Sequence, residues 1–524
     1  MPSSLSDQLT QMEGKHSPLE TALRKQSLAI CTSFLSNDHT SYRVPSFAAS
    51  RHKLTSSSPD VLSKSLPHLA QLPPYVLEAT SPDVTVSGKH IAVLFSGGPA
   101  SGGHNVLWGI QKALGSTNTL VGIRSGPKGL LAGDLFDIHP DMLRNIYHLG
   151  GFDFLGSDRT KIKTPAQFDT VREVVIQHRL DGLIVVGGDD SNTNAAFLAE
   201  ALWDLRCAVV GVPKTIDGDL QVGAYLPISF GFDTATKIYA ELVGNILQDT
   251  PSSQKYWHFI KLMGRSASHV ALEVALQTKA TITLLSEDIR AQNKTLDEIV
   301  SDITDIIVTR AKTGRHYGVV LIPEGLIECL PATALGSSLG QLDSHGNLSV
   351  SQIPTEQLLI DQVTSRLATH HPLIPFSTVS HFFGYEGRCG APTRFDASYT
   401  ANLGLIAGSL ALGGHTGYMA ALSELDRGGK AFAIPIASLL GSESRNGKET
   451  LVIQKSLVDL ESPAFKYFES RKHIWATEDV FCNSGPVQYF GPTSLQLPFS
   501  VALNQGYLSP TCSLGQEILP NLSK

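Results

Sequence analysis

DGLIVVGGDDS (residues 181–191), continued by NAAFLAEAL (194–202) and then by CAVVGVPKTIDGD (207–219), decides how the chain folds. An unbroken apolar run closed by Gly-Gly reads as a buried strand. The segment behind it spaces its apolar residues as a helix does, and a second apolar run follows. Strand, helix, strand is a βαβ unit with parallel strands. The same order appears upstream: HIAVLFSGG (90–98), a helical segment marked by Val106, Leu107, Ile110 and Leu114, then TLVGIRSG (119–126). Downstream, KYWHFIKLMG (255–264), ATITLLSE (280–287), YGVVLIPEG (317–325) and STVSHFFGYEG (377–387) read as strands of a second α/β block. Two Rossmann-like domains with parallel sheets are expected, and ligands of such sheets bind beyond the carboxyl ends of the strands.

Around these blocks the pattern weakens. Residues 1–85 read as an N-terminal extension, helical or irregular. Leu5, Leu9, Met12, Leu19 and Leu23 suggest short amphipathic helices, and a Ser/Pro-rich stretch from Ser56 to Pro74 has no sustained period. The first block is placed at 86–231, with a return of the chain to it at about 391–475. The second is placed at 232–390 with a polar, partly helical insertion at about 328–375, and 476–524 is a C-terminal segment.

Composition narrows the function. At 524 residues, 42% hydrophobic and 17% charged, the chain is globular and too long for one ordinary domain. A net charge of −7 argues against bulk nucleic-acid binding, which needs Lys and Arg to neutralise phosphates. No apolar run is long enough for a membrane span. The N-terminus lacks the basic-then-apolar order of a secretory signal. Cys31, Cys207, Cys329, Cys389, Cys482 and Cys512 are scattered without a C-x-x-C pair, which fits a reducing compartment, and a cytoplasmic location is expected.

The polar residues of interest fall at strand ends. SGGPASGGHN (96–105) exposes backbone N–H groups before a helix, suited to a phosphate or to a tight structural turn. Asp189 and Asp190 stand where a helix begins; one Asp would serve as a cap, and two after Gly-Gly suit Mg²⁺. PKTIDGD (213–219) sets Lys214, Thr215, Asp217 and Asp219 within one loop. There a carboxylate can take a proton from a hydroxyl while a lysine offsets phosphoryl charge. Arg265 in KLMGR, the lone Glu324 after VVLIP, and Tyr385, Arg388 and Arg394 in GYEGRCGAPTRFD are further candidates for anion or sugar contact, or for ordinary loop salt bridges. Together they make a kit for phosphoryl transfer, where catalysis is mostly positioning and charge neutralisation.

In this order the motifs resemble those of the phosphofructokinase family, from about Ile91 to Met419. The resemblance implies that Gly98 receives the donor phosphate and that Arg159 meets the transferred phosphoryl group. It also implies that Asp189, with a lesser share from Asp219, binds Mg²⁺, and that Asp217 is the general base on the sugar C1 hydroxyl. Thr215 and Ile216 would seat the sugar phosphate. Met263, Gly264 and Arg265, Glu324, and Tyr385, Glu386, Gly387 and Arg388 would hold fructose 6-phosphate. Lys255 and Tyr256 would be donated to the site of a neighbouring subunit, in a homodimer or larger assembly. ATP-using relatives commonly carry Gly in place of Asp190 and of Lys214. A carboxylate at Asp190 would repel the α-phosphate of ATP, and Lys214 would restore charge stabilisation to a shorter donor. The chain therefore resembles the long form of the diphosphate-dependent branch. An ATP-using enzyme and a non-catalytic regulatory subunit of the same fold are the alternatives.

Overall fold

A computed structural model describes residues 23, 25–36, 41–330, 353–445, 448–483, 496–507 and 512. Gly182–Gly187 and Ala208–Thr215 are strands buried along their whole length, paired in parallel with Leu183 opposite Val209 and Val186 opposite Val212. His90–Ser96 flanks the first of them in parallel, and Thr119–Ile123 flanks His90–Ser96. On the other side Tyr418–Ser423 joins Ala208–Thr215, again in parallel. Burial on both faces explains why these strands read as continuous apolar runs.

The sheet then extends with reversed direction. Lys430–Pro435, Tyr75–Asp83 and Pro45–Lys53 add antiparallel at one edge, and Leu135–Asp137 closes the other. Part of the N-terminal extension, expected to be helical or irregular, is therefore sheet. Its strands bury little beyond Phe47, Val76 and Leu77, so the alternation that announces a half-buried strand is nearly missing from their sequence. The helices expected around Leu5, Leu9, Met12 and Leu19 lie outside the described residues.

A second sheet places Tyr256–Leu262 between Gly318–Pro323 and Ser377–Phe383, with Ile282–Thr283 outermost, all in parallel. Thr355–His370, the described part of the expected insertion, is a helix packed against this sheet. Residues 331–352 lie outside the description.

The long helix Arg394–Leu412 brings the chain back against Gly103–Leu114. A Cβ on Gly109 would lie 2.1 Å from the Ala401 carbonyl oxygen, and one on Gly404 would lie 2.2 Å from that of Val106. The two backbones touch there, which only glycine permits. After Lys430–Pro435 a ribbon, Leu440–Arg445 paired with Lys448–Ile453, completes the return. The return was expected to last to about residue 475, but it ends at this ribbon. From Val458 to Asp479 the chain bonds to the second block, through Glu287 at 3.0 Å and the Arg310–Asp479 pair at 2.7 Å. The helix Pro463–Thr477, which carries the buried Phe465, Phe468 and Trp475, packs against Phe499–Asn504 and against helices of that block. No helix among the described residues is long and apolar enough to cross a membrane.

Candidate active site

Gly97 takes φ +86°, a conformation costly for any residue with a Cβ. Its N–H donates to the Asp158 carbonyl and its own carbonyl accepts from the Ser157 hydroxyl, both at 2.9 Å. A Cβ at Gly97 would stand 3.7 Å from Lys214 Nζ. One at Gly98 would stand 3.5 Å from Arg159 Nη2 and 3.8 Å from Arg388 Cζ. Lys214, Arg159 and Arg388 therefore close on the bare backbone of the glycine loop, an arrangement that can hold an anion. Lys214 is only 8% exposed. Burial lowers its pKa, Asp217, Asp189 and Asp219 oppose that shift, and Arg388 adds to it.

Thr215 organises the loop that follows Ala208–Thr215. Its hydroxyl accepts the Asp217 N–H at 3.0 Å and donates to Asp219 Oδ1 at 3.2 Å. Gly218 has φ +76°, and a Cβ there would strike the Phe232 ring at 2.8 Å and His269 Cβ at 3.0 Å. Ile216 is buried beneath the loop. The Asp217 carboxyl is pushed above its ordinary range, first by burial and then by the negative charge of Glu324, with Lys214, Lys455 and Arg388 pulling the other way. That suits a group which must accept a proton.

Asp189 and Asp190 open the helix Asp189–Ala201. Asp189 is 22% exposed, and burial raises its pKa. Asp190 points outward, half-exposed, and pairs with Lys161 at 2.8 Å.

On the other side of the cleft, Glu324 is 1% exposed and accepts the Gly264 N–H at 3.0 Å. Burial raises its pKa, while that hydrogen bond and the charges of Lys261, Arg265 and Arg388 oppose the rise. Met263 N–H donates to the Phe383 carbonyl at 3.0 Å, fixing the end of Tyr256–Leu262 to its neighbour. Glu386 accepts the Gly384 N–H at 2.7 Å, and Gly387 packs on the Tyr239 ring. The Arg388 guanidinium lies 4.4 Å from the ring centre of Tyr385, itself 65% exposed. Arg388 thus links the glycine loop to the Tyr385–Gly387 turn and joins the two halves of the cleft.

Lys255 and Tyr256 are not brought to this cleft. They stand at the start of the seven-residue strand whose far end carries Met263, with the Lys255 ammonium 4.7 Å from the Tyr256 ring centre. At roughly 3.3 Å per residue that is about 20 Å away.

Sequence reasoning missed Lys455 and Lys161. Lys455 Nζ lies 3.8 Å from Asp189 Oδ2 and 3.7 Å from Asp219 Oδ2, and donates to Ser266 Oγ at 2.6 Å. Burial works against its charge, but Asp189, Asp219, Asp217 and Asp190 together hold its pKa above the ordinary lysine value. An apolar strand end (Leu451, Ile453) just ahead of a lysine was the available signal, and it was weak. Among the described residues no group of three or more His, Cys, Asp or Glu could hold a metal alone. Asp189 and Asp219 nonetheless share one lysine, Lys455, within ion-pair range of both. A hard divalent ion that takes one or two carboxylates, substrate phosphate oxygens and water fits that donor set.

A sequence model described as Phosphofructokinase matches residues 90–411. The chain belongs to the phosphofructokinase family. It is 44% identical over 471 residues to the pyrophosphate--fructose 6-phosphate 1-phosphotransferase of Treponema pallidum (strain Nichols), covering 78% of this chain and 82% of that protein. It is 40% identical over 459 residues to the protein of the same name from Entamoeba histolytica, covering 77% and 84%. In three dimensions it resembles a pyrophosphate-dependent phosphofructokinase from Marinobacter aquaeolei, with a TM-score of 0.53 and 16% identity, over 75% of this chain and 93% of that one, a likeness of fold alone.

Proposed function

We propose that this enzyme transfers a phosphoryl group reversibly between diphosphate and the C1 hydroxyl of fructose 6-phosphate. The observation that carries the reading is the convergence of Lys214, Arg159 and Arg388 on Gly97 and Gly98, beside a carboxyl group, Asp217, whose proton affinity is raised. The names of the relatives at 40% identity and above support it.

In this reading Asp217 takes the proton of the C1 hydroxyl. The C1 oxygen attacks the nearer phosphorus, the bridging P–O bond breaks, and phosphate leaves. Lys214 and Arg159 offset charge on the phosphoryl oxygens, while Gly98 lends its backbone N–H. Met263, Gly264, Arg265 and Glu324 hold the sugar, and Tyr385 to Arg388 its 6-phosphate, with Thr215 and Ile216 shaping the floor. Asp189 and Asp219 would hold a divalent cation, taken as Mg²⁺, which supplies neutralising charge to the phosphates when bound. Asp190 sets the donor: with Lys161 at its side it occupies the ground that the α-phosphate of ATP would need. Lys255 and Tyr256, remote from their own cleft, are assigned to the cleft of a second copy. The cytoplasm is the assigned compartment, in keeping with six cysteines that remain free thiols.

Donor assays on wild type and Asp190→Gly test this reading. Wild type should turn over with diphosphate and not with ATP, and the variant should begin to accept ATP. Turnover of wild type with ATP and none with diphosphate would overturn it.

A further inference from the structure

Residues 454–458 run from the two-stranded ribbon Leu440–Arg445 and Lys448–Ile453 to the helices of the second block, and they cross over the carboxylates Asp189 and Asp219. The backbone is pinned on both sides of this crossing. Ser456 N–H donates to the Asp219 carbonyl at 2.8 Å, His269 Nε2 donates to the Ser456 carbonyl at 2.9 Å, and Val458 N–H donates to Glu287 Oε1 at 3.0 Å. The base of Lys455 is therefore fixed, while its side chain is 36% exposed. Its ammonium stands 3.8 and 3.7 Å from the two carboxylates, within ion-pair range and beyond directed hydrogen bonding. The directed bond goes instead to Ser266, at 2.6 Å, on the sugar side of the cleft. Charge alone holds the tip on the carboxylates, so an ion of higher charge can displace it without breaking the crossing.

We propose that Lys455 is a donor-binding residue that occupies the cation place between Asp189 and Asp219 until the donor binds, and that its displaced ammonium then pairs with diphosphate oxygens. The inference rests on reading Asp189 and Asp219 as the metal carboxylates. Two opposite effects follow from one side chain. Without diphosphate, Lys455 competes with the metal; with diphosphate, it adds a charge-assisted hydrogen bond to the donor. Removing it should tighten bare metal binding and loosen donor binding.

The test uses the full chain and Mn²⁺, followed by the electron paramagnetic resonance of the free ion, without diphosphate or sugar phosphate. Lys455→Met should bind Mn²⁺ about tenfold more tightly than wild type, a size typical of coupling between two sites. Lys455→Arg, which keeps the charge, should stay near wild type. With Mn²⁺ saturating, calorimetry should show diphosphate binding to Lys455→Met weakened by about tenfold. Lys455→Gln serves if the Met variant does not fold. Unchanged or weaker Mn²⁺ binding in a folded, charge-removed variant overturns the proposal, since a lysine that only braces the loop would not tighten a metal when lost. Mn²⁺ binding that ignores Asp189→Asn removes the metal reading itself, and the proposal falls with it for that separate reason.

Discussion

The base role proposed for Asp217 requires a carboxylate that is deprotonated, close to the hydroxyl and held still. Asp217 is held by the Thr215 hydroxyl and placed among like charges and a buried lysine. Asp217→Asn should lower kcat by roughly 10²- to 10⁴-fold, the span usual for loss of general base catalysis, while fructose 6-phosphate binding followed by calorimetry changes little. Gly218→Ala tests the same loop through its backbone. Its φ of +76° and the Phe232 ring 2.8 Å from the new methyl group predict lost activity and a lower melting temperature. These candidates stood out in the sequence because they sit at strand ends in short, dense motifs. Lys455 and Lys161 were not legible, since each reaches the site from a stretch that looks like ordinary surface. Only the folded path of the chain brings Lys455 to Asp189.

Among the elements, continuous apolar strands were the easiest to read. Gly182–Gly187 and Ala208–Thr215 are buried on both faces, so every position carries the signal. Pro45–Lys53 and Tyr75–Asp83 are edge additions with exposed polar side chains, and neither propensity nor periodicity marked them. The Gly103–Leu114 and Arg394–Leu412 pair depends on contact between backbones. Gly404→Ala puts a methyl carbon 2.2 Å from the Val106 carbonyl oxygen. Thermal unfolding should show a loss of at least about 1–3 kcal/mol, the ordinary cost of overpacking.

If Lys255 and Tyr256 serve a second copy, Asp217→Asn and Tyr256→Ala, each inactive alone, should complement on mixing after dissociation. In a two-fold dimer about a quarter of the sites would be restored; no recovery would leave these residues without that role. For pH, burial pushes His148 down to about 3 and His258 down to about 4. His148 accepts from Asn105 at 3.0 Å and donates to the Gln26 carbonyl at 3.1 Å, so the neutral ring is the one that fits. The unfolded rings take up protons near pH 6.5 while the folded ones do not, so stability is full above that value and lost as pH falls toward 3. Urea unfolding at pH 7.5 and 5.5 should differ by about 1.4 kcal/mol for each such ring, and His148→Asn should shrink the difference by that amount. The helix crossing at Gly109 and Gly404 has a consequence for inheritance. Both sides already carry the smallest residue, so no neighbouring change within that seam can shrink further to make room. Revertants selected from a Gly404→Ala library should return to glycine or gain stability elsewhere, and the two positions should each remain glycine rather than change together.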